Sequence, residues 1–125
     1  MTIRTIPSLL ALAALALAPA GAVAGDAGAG EEKYKIFCET CHGPAGQGDG
    51  PGAAGVQPPP RDFSTGEFKF DANGNGTPGE DEDLKMVIAQ GAAAFGGSPL
   101  MTPWAGALTD EDIDNVVAFV RTLKK

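Results

Sequence analysis

Cys38-Glu39-Thr40-Cys41-His42 is the stretch on which the reading of this chain turns. Cys-x-x-Cys followed at once by His is the attachment signature for a c-type haem. Two thiols at this spacing can each bond a vinyl-derived carbon on one porphyrin edge. The adjacent imidazole then lies under the ring, where it can bind iron. A thioredoxin-like redox pair shares Cys-x-x-Cys but needs a βαβ setting and no histidine. Here the single histidine of the chain directly follows the second cysteine, and no third cysteine exists. A structural disulfide closing so small a loop would gain little chain entropy. The motif therefore points to one covalent haem c on Cys38 and Cys41, with His42 as an iron ligand.

Residues 1–24 read as an export signal: Arg4 gives a positive start, Ile6 to Leu17 an apolar run, and Ala22-Val23-Ala24 a small-x-small cleavage site. The run is short for a span, which needs about 20 apolar residues; an uncleaved anchor is the alternative. The chain is accordingly expected in the periplasm. Gly25 to Gly30 is Gly/Ala-rich and reads as a loose tether, leaving residues 31–125 as one small domain. Arg4 is the one charged side chain in the signal, so its loss takes the formal charge from −7 to −8. So acidic a surface argues against nucleic acid or an anionic membrane as partner. It suits either plain solubility or steering toward a basic docking patch on a redox protein.

Apolar periodicity places three helices. Tyr34, Phe37, Cys38 and Cys41 share one face of a first helix over residues 31–41, so both thiols continue its apolar stripe. A second runs over 81–90, with Leu84, Val87 and Ile88 as its stripe, acids in its first turn and Gly91 at its end. The third spans 109–124: Thr109 with Asp112 makes a capping box, and Ile113, Val116, Val117, Val120 and Leu123 form one face. Between the first two lies a Gly- and Pro-rich stretch, residues 43–79, too long for a compact domain unless something packs beneath it. A buried haem would be that core, and the apoprotein would be largely unfolded.

Within that stretch Asp71-Ala72-Asn73-Gly74-Asn75-Gly76, followed after five residues by Glu82, fits the calcium-loop pattern D-x-[DN]-x-[DN]-G-x5-E. Asp71, Asn73, Asn75, Thr77 and Glu82 would supply the oxygens. Against it, Phe68-Lys69-Phe70 alternates like a strand where an incoming helix is required, and Pro78 interrupts the loop. Asn-Gly pairs are strong turn signals without metal, and the turn reading is preferred.

These features resemble a class I c-type cytochrome over essentially all of residues 31–123, and Cys41-His42-Gly43-Pro44-Ala45-Gly46-Gln47-Gly48-Asp49-Gly50-Pro51 is similar to small bacterial members. The resemblance implies an all-α fold wrapped around the haem, with the C-terminal helix crossing the N-terminal one. The early position of the motif separates it from the four-helix, c-prime type. It also implies a sixth iron ligand, a methionine from a loop before the last helix. Met1 leaves with the signal, and Met86 lies off the stripe of the second helix. Met101, in Ser98-Pro99-Leu100-Met101-Thr102-Pro103-Trp104, is the matching residue, although Thr102 intervenes where the family usually has proline directly. By the same resemblance a proline carbonyl, from Pro58 or Pro60, orients His42. Trp104 packs against the haem pocket or serves as plain core. Arg61 has the forked guanidinium to pair with a propionate, or is a solvated loop charge.

The implied function is a one-electron carrier between protein redox partners, not an enzyme. Two alternatives stand beside it. One is the haem subunit of a dehydrogenase or oxidase complex. The other, a five-coordinate haem enzyme or gas sensor, would need an open iron position with a polar group above it, and the chain has no second histidine.

Overall fold

A computed structural model describes residues 25–125; the export signal expected over residues 1–24, with Met1, lies outside the described residues. The fold is all-α, as expected. The described residues form four helices, α1 (Ala27–Phe37), α2 (Glu39–His42), α3 (Asp81–Gln90) and α4 (Asp110–Thr122), the last three joined by long loops carrying 3-10 turns at Pro51–Ala53, Phe63–Thr65 and Ala92–Phe95. Among the described residues there is no strand; Phe68 and Phe70 are half-buried on an extended stretch and Lys69 is exposed.

The helix expected over 31–41 breaks once, at Cys38 (φ −120°, ψ −35°). The break is shallow, because Cys38 N–H still donates to the Tyr34 carbonyl (2.9 Å) and the Cys38 carbonyl accepts from His42 N–H (2.9 Å). The thiols therefore stay on the apolar side of α1, as their spacing requires.

The loose tether expected over Gly25 to Gly30 is corrected by the structure, which makes it the first turn of α1. Asp26 caps that turn, its carboxylate accepting from Gly28 N–H (2.9 Å) and Ala29 N–H (3.2 Å). Its own N–H donates to the Asn115 side chain of α4 (2.8 Å). Gly30 is buried at the crossing, where a Cβ would fall 1.9 Å from the Asn115 carbonyl oxygen. Here glycine is a packing requirement: only a residue without a side chain lets the two backbones approach so closely.

α1 packs across α4 more extensively than any other helix pair meets. Thr109 caps α4 in the expected capping box, its Oγ1 accepting from Asp112 N–H (3.1 Å) while Asp112 accepts from Thr109 N–H (3.0 Å). The predicted face of α4 is buried at Ile113, Val116, Val117 and Val120. With Tyr34 and Leu84, the last three form the core cluster, against which Cys38, Phe63, Phe68, Ile88, Phe119 and Leu123 pack. Each such Val or Leu contributes about 1.5–3 kcal/mol by leaving water. α3 runs antiparallel to α4, tied by Lys85–Asp114 (2.6 Å) and Arg121–Asp81 (2.8 Å). This frame fixes two places that the sequence singles out: the end of α1, with its motif, and the loop after α3, with Met101.

Candidate functional site

The motif is held from both sides. Upstream, the buried Tyr34 hydroxyl donates to the Gly43 carbonyl (2.6 Å), clamping the chain just past His42 to the core. Downstream, the loop folds back and satisfies the open end of α2: Gly50 N–H donates to the Cys41 carbonyl (3.1 Å) and Gly48 N–H to that of His42 (2.8 Å). Such end carbonyls have no partner within a helix, so a returning loop is one way to pair them. The return is tight enough that a Cβ on Gly50 would lie 2.2 Å from the Thr40 carbonyl oxygen.

Cys38 and Cys41 are both free and half-buried. Burial, with Cys41 beside it, pushes the Cys38 thiol up to about 12. A redox-active Cys-x-x-Cys needs the opposite, a thiol held low enough to ionise, so the setting of Cys38 opposes the thioredoxin-like reading.

His42 Nδ1 lies 3.2 Å from the carbonyl oxygen of Arg61. The orienting carbonyl is thus that of Arg61, a correction to the expectation of Pro58 or Pro60. Pro58 is exposed and Pro60 half-buried; the Pro60 carbonyl instead faces Gly48, 2.6 Å from where a Cβ would stand. Burial lowers the imidazole below its usual value, outweighing the Arg61 carbonyl, which pulls the other way. The ring is held neutral with Nδ1 protonated, the tautomer that leaves Nε2 free for a metal. Nε2 makes no hydrogen bond among the described residues, and since no buried side-chain nitrogen or oxygen there lacks a partner, Nε2 is left accessible. Phe63 lies flat against the ring, its centroid 4.4 Å away at 17°. These groups fit a haem: two unbonded thiols, and beside them a neutral, oriented imidazole.

Met101 is half-buried in a loop pinned to the end of α3. Its carbonyl accepts from Ala92 N–H (3.1 Å) and its N–H donates to the Ser98 carbonyl (3.2 Å). Trp104 N–H donates to the Ile88 carbonyl (3.0 Å), and its ring sits 5.5 Å from that of Phe37, joining this loop to the end of α1. Met86 is half-buried on α3. Arg61 is engaged by Glu67, donating from Nε to its carbonyl (2.6 Å) and approaching its carboxylate at 3.6 Å.

The calcium-loop residues meet differently from their pattern. The Asp71 carboxylate accepts from Asn75 N–H (3.1 Å) and Gly76 N–H (2.8 Å). The Asn73 side chain accepts from Asn75 N–H (3.1 Å), and that of Asn75 from Thr77 N–H (2.9 Å). Glu82 is exposed; the acid turned into this loop is Asp83, at 0% exposure. It accepts from Asn73 N–H (3.1 Å) and Glu80 N–H (2.9 Å). Burial alone would raise its carboxyl, but these amides, with those of Ala72 and Gly79, hold it below the usual carboxylate range. Among the described residues no group of three or more His, Cys, Asp or Glu is placed to hold a metal ion. The loop is thus a chain of side-chain turns around one buried acid. The inward acid is the one three residues after the helix cap: Glu80 and Asp83 form a capping box at the start of α3.

Residues 27–124 match the cytochrome c family. The chain is similar to cytochrome c-554(547) of Halothiobacillus neapolitanus, 34% identical over 103 residues that cover 81% of this chain and all of that one. Among solved structures it resembles a chain of the reducing HAO-like protein complex of Kuenenia stuttgartiensis (33% identity, TM-score 0.64), covering 77% of this chain and 41% of that one. The fold is also that of cytochrome c6 from the diatom Phaeodactylum tricornutum (24% identity, TM-score 0.56, covering 78% and 93%). The matched domain and the single Cys-x-x-Cys-His imply one covalent haem c and a role in electron transfer. The chain belongs to the cytochrome c family.

Proposed function

We propose that this protein is a periplasmic one-electron carrier whose haem is bonded to Cys38 and Cys41 and ligated by His42 and Met101. The observation that carries the reading is the state of His42: neutral, Nδ1 tied to a carbonyl, Nε2 unpartnered beside two free thiols. The haem supplies a reversible one-electron couple at iron, and thioether ligation favours the reduced state and raises the potential. The protein keeps the two ligands in place. Tyr34 and the returning loop fix the motif, and Ala92, Ser98 and Ile88 fix the loop that carries Met101. Trp104 and Phe37 close the space between them.

Partner choice follows from charge. Of the eight cations beyond residue 24, Lys33, Lys35, Arg61, Lys85 and Arg121 are in ion pairs with acids of this chain. The acidic excess therefore reaches solvent largely uncompensated and suits redox proteins with a basic docking surface. Among the described residues no helix is long and apolar enough to cross a membrane, and the proposed signal at residues 1–24 would direct export. A second reading, as a haem subunit of a larger redox assembly, draws support from the similarity to one chain of a multiprotein complex.

Voltammetry of the holoprotein tests the carrier reading. A reversible one-electron wave, no CO binding by the reduced protein, and an exchange rate with a basic redox protein that falls as salt rises are expected. Rapid CO binding would move the assignment to an open-site haem protein.

A further inference from the structure

His42 is oriented by more than its hydrogen bond. The Nδ1 contact to Arg61, at 3.2 Å, is on the long side. One such bond leaves the ring free to tilt about it. The second restraint comes from Phe63, stacked on the imidazole face at 4.4 Å and 17°. Phe63 is itself held at three points. Its N–H donates to the Gly46 carbonyl (2.6 Å). It opens a 3-10 turn capped by Asp62, whose carboxylate accepts from Ser64 N–H (2.9 Å) and Ser64 Oγ (2.6 Å). Its other side meets Phe68, with ring centroids 5.8 Å apart at 28°. Phe68 is covered in turn by the Arg121 guanidinium, 4.9 Å above its ring. Arg121 cannot swing away, since Nε donates to Asp81 (2.8 Å) and Nη2 to the Gly79 carbonyl (2.6 Å). The result is a column, His42–Phe63–Phe68–Arg121, that runs from the proposed iron ligand to a cation anchored on α4.

We infer that Phe63 is a positioning residue that fixes the plane of the His42 imidazole, with Phe68 and Arg121 as its backing. This rests on the reading of His42 as an iron ligand. For a bound imidazole, the plane decides which iron π orbital it interacts with, and so how unpaired spin spreads over the porphyrin edge in the oxidised state. Rings held by their neighbours serve this better than a lone hydrogen bond, because groups behind a ligand set its orientation.

The test is proton NMR and EPR of the oxidised holoprotein, reading the spread and order of the four haem-methyl resonances and the g anisotropy. Phe63→Leu keeps an apolar side chain but removes the flat face, and should rearrange the methyl pattern while the iron stays low-spin. Phe63→Tyr keeps the face and should preserve the pattern. Phe68→Leu should shift it in the same direction as Phe63→Leu and by less. Met86→Leu, away from the column, sets the background variation. If Phe63→Leu does not load haem, the pair Phe63→Tyr and Phe68→Leu decides on the same readout. A pattern that stays within the Met86→Leu background in Phe63→Leu, or in Phe68→Leu where that variant must decide, overturns the inference and leaves Phe63 as core packing, whatever the melting temperature does. Failure of the ligand reading looks different: the unmodified protein would then lack a low-spin spectrum altogether.

Discussion

The α1–α4 crossing and the loop over residues 70–83 are stabilised in opposite ways. At the crossing, apolar side chains at helical spacing bury themselves, and one absent side chain, at Gly30, lets the backbones touch. In the loop almost nothing apolar is buried. Its order comes from Asp71, Asn73, Asn75 and above all the carboxylate of Asp83, each accepting backbone N–H groups. At the crossing the burial is shared among several side chains, and a lost methyl costs its transfer energy plus that of the cavity it leaves. The loop depends on a charge, and a buried charge is stable only while its donors remain.

The largest effect that would break this comparison is expected at Gly30. A Cβ there meets backbone, which cannot move aside as a flexible side chain would. Gly30→Ala should cost about 3 kcal/mol or more of holoprotein stability, read by denaturant titration followed through helical circular dichroism. A near-neutral result would mean that the two helices have room to separate.

A smaller and pH-dependent effect is expected at Asp83. Its carboxyl is held below the usual carboxylate range in the fold. The stabilisation is therefore complete above the unfolded value of about 3.9 and is lost as pH falls through the lower folded value. Asp83→Asn cannot titrate, so the gap in melting temperature between it and the native protein should be wide at pH 7 and close below about pH 3.9. Amide hydrogen exchange should quicken at Asn73 and Glu80 while the α1–α4 amides stay protected. Equal loosening of both regions would show that the loop and the crossing are one cooperative unit.

The smallest effect concerns calcium. Because Asp71, Asn73 and Asn75 already accept backbone amides and Glu82 is exposed, millimolar calcium should leave the melting temperature unchanged. A rise that Asp71→Ala abolishes would restore the loop as a cation site.

The two regions also differ in how far the sequence foretells them. Signals that are local in the chain survive folding. The stripe Leu84, Val87, Ile88 marks α3 to its ends, and Thr109 with Asp112 marks the start of α4. Asp26 is an equally local cap, masked by its glycine and alanine neighbours. Partners fixed by the path of a loop leave no such mark. Nothing in the order of residues selects the Arg61 carbonyl over those of Pro58 and Pro60, or Phe63 as the ring that meets His42, whereas Asp83 is set apart from Glu82 by its place three residues after Glu80, in a capping box. The covalent motif is legible because its chemistry requires fixed spacing, and the setting of its histidine is tertiary.

The central claim is that His42 and Met101 ligate the iron of one haem. Its most direct measurement is the electronic spectrum of oxidised holoprotein in two variants, Met101→Ala and Met86→Leu. The account predicts that Met101→Ala loses the sulfur-to-iron charge-transfer band, lowers the potential and admits cyanide rapidly, while Met86→Leu keeps all three properties of the native protein. Loss of the band in Met86→Leu, with the band intact in Met101→Ala, would contradict it.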